Sequence, residues 1–353
     1  MLFFLSSFIQ LKILNRLLPN TGTVRLNSLL FACDLNKIML PNVSFTLITL
    51  ISSASTLLVT FTLSLIIFIY IRNSRDIGFL LMLNTYVAMF AFSFIIFFVH
   101  IHVLGADLYG FVGFNNTDEL NTCRFQGFLI YTTFGCCCNS FVLQAFYRYT
   151  RIVYSKKRIF QSFTFYIVCI LFQWMMGFLF LLPPYLWPGI IYTLYTLDYY
   201  CGILYEQAAA MWYTGILIHN FSVILISIIY MRLMRFIRRQ TSNLHQTGRM
   251  RTVQRDSAVI RRILFIVNTL TLPAMPNVIF TIMVNIDPSK SGLYNMYRIQ
   301  WMFPAIGIFI FSIALVFLTP QFKVLIFDTI HYQNNRVIPM EQRRTERQLQ
   351  TQF

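Results

Sequence analysis

A chain of 353 residues that is 57% hydrophobic and only 11% charged, with a mean hydropathy of +0.63, is not an ordinary soluble domain, because such domains carry roughly 25% charge. It reads as an integral membrane protein, and the stretches between its apolar runs are too short for a separate soluble domain. The net charge of +16 gathers at the ends of those runs, so it is a topology signal and argues against nucleic acid as a partner.

The first residues, Met1 to Leu18, are apolar enough for the core of a signal peptide, but Lys12 and Arg16 interrupt them and no small-residue cleavage site is clear. Two readings stand side by side. Residues 1–41 are a signal-like extracellular segment, or the start is over-extended and Met39-Leu40-Pro41-Asn42 is the true beginning.

Runs free of Asp, Glu, Lys and Arg then occupy residues 45–71, 77–104, 125–147, 159–182, 207–231, 263–286 and 299–319. Each meets or exceeds the ~20 residues that a spanning helix needs. The expected fold is all-α, a seven-transmembrane helix bundle over residues 42–330 that includes a short amphipathic helix after the seventh span. Phe322, Leu325 and Ile326 lie at helical spacing there. Residues 331–353 form a basic cytoplasmic tail. Of the 28 Lys and Arg, 21 flank one set of span ends and 7 the other. This asymmetry puts the N-terminus outside and the C-terminus inside the plasma membrane, with anionic inner-leaflet lipid as a partner of the bilayer-facing cations.

The third span is the most informative element. From Cys123 to Arg148 is 25 steps, which at helical rise is about 37 Å, enough to reach both interfaces of a ~30 Å hydrocarbon core. Cys123 therefore faces outside and Arg148 inside. Cys201 also lies outside, between spans four and five, where oxidising conditions permit a disulfide with Cys123. Cys136, Cys137, Cys138 and Cys169 fall inside spans and act as small packing residues. Asn115-Asn116-Thr117 is an outer sequon, so Asn115 is a glycosylation acceptor. Pro273 and Pro276 each remove a backbone hydrogen bond from span six and favour a kink.

Taken together, these features resemble the rhodopsin-like class of G-protein-coupled receptors over about residues 42–330. That family has a Cys at the outer end of span three followed at this spacing by Asp/Glu-Arg-Tyr, where this chain has Tyr147-Arg148-Tyr149. Trp174 with Pro184, Tyr230 in span five, and Leu318-Thr319-Pro320-Gln321-Phe322-Lys323 after span seven also resemble family positions. The resemblance implies that Arg148 is held at rest by a carboxylate and meets a heterotrimeric G protein when span six bends about Pro273 and Pro276. Tyr147 cannot supply the missing charge, so the resemblance shifts the latch to Asp256 at the base of span six.

Several family signatures are replaced. Met89 stands at the second-span Asp position, Ser222 at the span-five proline, Ala274 at the span-six tryptophan, and Phe311-Ser312-Ile313-Ala314-Leu315 in the Asn-Pro-x-x-Tyr stretch. A sodium site of the family kind is not expected without those oxygen ligands. These departures keep open a receptor-like protein that binds without signalling, or a seven-span transport or scaffold protein.

Ligand-facing residues are sought in the outer halves of spans three and seven, which gives Gln126, Tyr131, Gln300 and Trp301 as candidates. Ile130 replaces the counter-ion of amine receptors, and no lysine in span seven can hold retinal. From residue 105 onward the outer segments carry Asp107, Asp118, Glu119, Asp198, Glu206 and Asp287 against Arg124, Lys290 and Arg298. That acidic excess favours a cationic peptide. Neither cofactor nor catalytic set is expected: mid-membrane acids for ion coupling are missing, and His100 and His102 point about 200° apart on a helix. Asn139, Ser140, Gln144, Asn220 and Asn268 are expected to bond across helices.

Overall fold

The computed structural model describes residues 28–109, 117–186, 192–195, 199–241, 268, 271–288 and 296–318. Seven helices are labelled in chain order. They are α1 (Ser28–Ser74), α2 (Ile77–Tyr109), α3 (Thr117–Val153), α4 (Phe163–Leu186), α5, α6 (Thr271–Ile286) and α7 (Met296–Leu318). Helix α5 runs from Ala208–Gly215 through a π-helical turn, Ile216–Asn220, into Phe221–Thr241. A short 3-10 turn, Arg158–Gln161, links α3 to α4.

Six of these helices are long and apolar enough to cross a membrane: Asn42–Arg72, Ile77–Leu108, Asn121–Val153, Phe163–Leu186, Ala208–Arg239 and Met296–Phe317. The expected sixth span, 263–286, is represented by the shorter apolar helix α6, since residues 263–267 and 269–270 lie outside the described residues. The amphipathic helix expected after span seven and the tail also lie outside them. Two boundaries differ from expectation. Helix α1 is already continuous from Ser28, with no break near residue 41, and α3 extends past Arg148 to Val153, so Arg151 sits on the helix as well.

The all-α expectation misses one element. Beyond α4, Tyr192–Tyr195 (β1) and Tyr200–Ile203 (β2) pair antiparallel, with Leu194 opposite Cys201 and Tyr195 opposite Tyr200. Their aromatic and β-branched residues suit a pleated, half-buried surface, and charge-free runs alone do not reveal a four-residue strand.

Helix α3 is the centre of the packing. In its span 72% of the residues of the apolar window are buried, against 17% in α1, and its mean hydropathy is the lowest of the six. A central helix meets protein on most sides and can carry polar groups that bond to neighbours; a peripheral one shows side chains such as Leu58 and Phe68 to lipid. Gly177 lets α4 approach α3 closely, because a Cβ there would lie 2.5 Å from Cys136 Sγ.

Hydrogen bonds join the helices where hydrophobic contrast cannot. Asn84 of α2 donates to Gln173 Oε1 at 2.9 Å and accepts from Trp174 Nε1 at 3.0 Å. Gln173 donates to the Cys136 carbonyl, and Gln144 to Thr85 Oγ1 at 2.6 Å. Ser222 donates to Asn139 Oδ1 at 2.9 Å. Ser140, expected to bond across helices, instead bonds the Cys137 carbonyl of its own helix. Asn220 lies on the exposed side of the π-helical turn, 3.5 Å from its neighbour His219, and Asn268 is exposed.

Candidate functional site

At the outer end, Cys123 and Cys201 form a disulfide with a Cα–Cα distance of 5.3 Å, both residues buried. The bond fixes β2 against the first turns of α3. Gly127, one turn below, makes that seat possible: a Cβ there would be 2.9 Å from Tyr192 Cδ1 and 3.3 Å from the Cys201 carbonyl. Tyr192 and Tyr200 are thereby driven inward to 1% and 2% exposure. Burial pushes both phenols above the ordinary tyrosine range, so they remain protonated hydrogen-bonding groups.

Beneath the hairpin lies an aromatic cluster. Trp301 of α7 meets Tyr131 of α3 edge-on at 5.2 Å and lies 6.1 Å from Tyr200. Tyr205, just past β2, donates to Gln300 Oε1 at 2.9 Å, and Gln300 Nε2 donates to Tyr131 Oη at 3.2 Å. This chain of bonds connects the loop after β2 to α7 and then to α3.

The cluster walls a cavity of about 40 Å³, taken as the space open to the centres of water-sized molecules. Tyr131 and Phe134 of α3 form one side and Gln300, Trp301 and Pro304 of α7 another. Helix α5 contributes Met211 and Thr214 together with Gly215, Ile218 and His219 at the π-helical turn, and α6 contributes Pro273, Ala274 and Asn277. A π-helical turn interrupts the regular ladder and is frequent at functional sites. Pro304 lacks the N–H that would bond the Gln300 carbonyl one turn earlier.

Tyr131, Gln300 and Trp301 are thus brought together, whereas Gln126 is half-buried and does not line the cavity. The reason is rotational: five residues along α3 separate Gln126 from Tyr131 by about 140°. Pro273 lines the cavity and also packs on α7, where a Cβ at Gly307 would come within 2.5 Å of its Cγ; Pro276 is buried in α6. Asn115 and Asp256 lie outside the described residues.

Two outer charges occupy places that sequence reasoning did not assign. Asp107 of α2 and Arg298 of α7, counted above among the charges of the outer segments, form a buried bidentate pair, with Nη1 to Oδ2 at 2.5 Å and Nη2 to Oδ1 at 2.7 Å. Arg298 Nη1 also donates to Thr46 Oγ1 at 2.9 Å and to the Asn42 carbonyl at 3.2 Å, which draws in α1. The available signal was the position of each residue at a span end with the opposite sign on another span. His100, seven residues before Asp107, is buried, while His102 is exposed, so the two imidazoles do face apart.

The inner end is simpler. Arg148 Nη1 donates to Tyr230 Oη at 3.2 Å, joining α3 to α5. Tyr147 instead accepts from Arg151 at 3.3 Å and meets the Tyr166 ring edge-on at 5.2 Å. Tyr149 is half-buried, with its ring 6.0 Å from that of Tyr154.

No protein-family profile matches this chain, and no curated protein is significantly similar to it.

Proposed function

We propose that the chain is a seven-span receptor of the plasma membrane, N-terminus outside, that relays an extracellular ligand to a heterotrimeric G protein. The observation that supports this reading most is the Arg148–Tyr230 hydrogen bond. It sits at the inner end of the same helix whose outer end carries the disulfide and Tyr131. One rigid, central helix thus touches both ends, and any ligand that moves α5 or α6 against α3 changes what Arg148 meets inside.

In this account Pro273 and Pro276 let α6 swing, and Asp256 competes with Tyr230 for the guanidinium at rest. An arginine cannot shed its charge, so on opening it needs carbonyl oxygens or water, which a partner helix end supplies. The acidic excess of the outer segments attracts a cationic peptide to the rim, Asn115 carries glycan, and the inner cations face anionic lipid. Catalysis belongs to the G protein.

The test is G-protein activation, constitutive and across a ligand panel, for wild type and Arg148→Ala. An Arg148-dependent signal is expected; no such signal under any condition would overturn the reading.

A further inference from the structure

We infer that the cavity among α3, α5, α6 and α7 takes an uncharged ligand group that both accepts and donates a hydrogen bond, as a hydroxyl or carboxamide does. This rests on the receptor reading only for the ligand's origin and says which part of a ligand enters, whatever charge the rest of it carries at the rim.

Three observations carry it. Among the described residues, the lining holds no Asp, Glu, Lys or Arg. Among the described residues, Asp107 and Arg298 are the only ones of those four types that are buried, and each is consumed by the other in the bidentate pair. An ammonium entering the cavity would therefore lose its water without gaining a counter-ion, and a carboxylate would meet His219 alone, which carries charge only when protonated.

The polar needs of the lining are also specific. Trp301 Nε1 is buried without a hydrogen-bond partner, as is Asn277 Oδ1; the first can only donate and the second only accept. A group that accepts from the indole and donates to the amide satisfies both. The volume of about 40 Å³ holds roughly three water-sized groups, so a small head enters while the rest of the ligand lies beyond.

The experiment uses the full chain in nanodiscs, labelled with fluorotryptophan. Its four tryptophans give four fluorine lines, and the Trp301 line is identified by its loss in Trp301→Phe. The probes are cyclohexanol, cyclohexylammonium and cyclohexanecarboxylate. Gly215→Leu fills the cavity from a position where an added Cβ meets nothing within 4 Å, and Ala274→Phe fills it from α6. Unchanged lines of Trp174 and Trp187 certify each variant's fold, since Trp212 lies one turn from Gly215 on the same helix.

The alcohol is expected to shift the Trp301 line saturably in wild type and not in Gly215→Leu or Ala274→Phe, with both ions at least about tenfold weaker. Equal potency of either ion, an equal shift in a filled variant that keeps its fold, or no saturable shift would overturn the inference. Because no G protein takes part, a saturable alcohol shift together with absent Arg148-dependent signalling would refute the receptor reading alone.

Discussion

The two ends of α3 are built on opposite principles. Outside, a disulfide, a buried hairpin, a chain of bonds through Gln300 and a buried ion pair tie α1, α2, α3 and α7 and the loop after β2 into one arrangement. Inside, α3 is held to α4 by Thr150 and Tyr166, whose hydroxyls lie 2.8 Å apart, but its link to α5 from Arg148 is one hydrogen bond to a tyrosine hydroxyl, flanked by exposed cations such as Arg232 and Arg235. An end held by many mutually supporting contacts resists rearrangement, whereas a seam such as that between α3 and α5 at Arg148, with fewer and less buried bonds, moves at less cost. On the receptor reading proposed above, recognition belongs to the first and switching to the second.

The largest expected effect breaks the outer end. Arg298→Ala leaves Asp107 buried without its counter-ion, with only the Thr46 hydroxyl at 3.4 Å still donating to it, and should cost roughly 3–5 kcal/mol, whereas the neutral double variant Asp107→Asn/Arg298→Gln should recover part of it. Thermal unfolding in detergent reads this, and a double variant no better than Arg298→Ala would remove the pair from the account. Next, Cys201→Ser frees the hairpin across a sequence separation of 78 residues, with an expected loss of about 2–5 kcal/mol. Proteolysis between β1 and β2 should accelerate with it; an unchanged cleavage rate would mean the hairpin is held without the bond.

A smaller effect sharpens the comparison in the middle of the bundle. Gly177→Ala forces a Cβ onto Cys136 Sγ and should cost about 1–3 kcal/mol, relieved when Cys136→Ala removes the sulfur. Additive losses would place the contact elsewhere. Smallest in stability is Tyr230→Phe, which removes one half-exposed bond to Arg148 and should change unfolding by less than about 1 kcal/mol. It should nevertheless alter basal nucleotide exchange on the G protein, and a variant unchanged in both would leave the bond without a role.

What the sequence made legible follows from which constraints are local. A spanning helix must be about 20 residues of uninterrupted apolar chain, so six predicted spans match six helices even though their ends moved by several residues. Cys123 and Cys201 were readable because topology placed both outside. Tyr131, Gln300 and Trp301 were found by depth in the membrane; Gln126 shares that depth but faces another way, because depth without rotation leaves the facing side open. The Asp107–Arg298 pair joins residues 191 apart, and nothing local to either distinguishes it from a solvated loop charge. The hairpin and the π-helical turn in α5 are likewise set by tertiary packing, against strands too short and a turn too brief to mark the sequence.

The contrast between a fixed outer end and a movable inner end is tested most directly by spin-label distances. Genetically encoded labels at Ile152 and Met231, both exposed near the inner ends of α3 and α5, report one end, and labels at Phe125 and Tyr213, exposed near the outer ends, report the other. Arg148→Ala should shift or broaden the inner distance distribution and leave the outer one unchanged. An inner distribution identical to wild type, or an outer one that changes as much, would contradict the account.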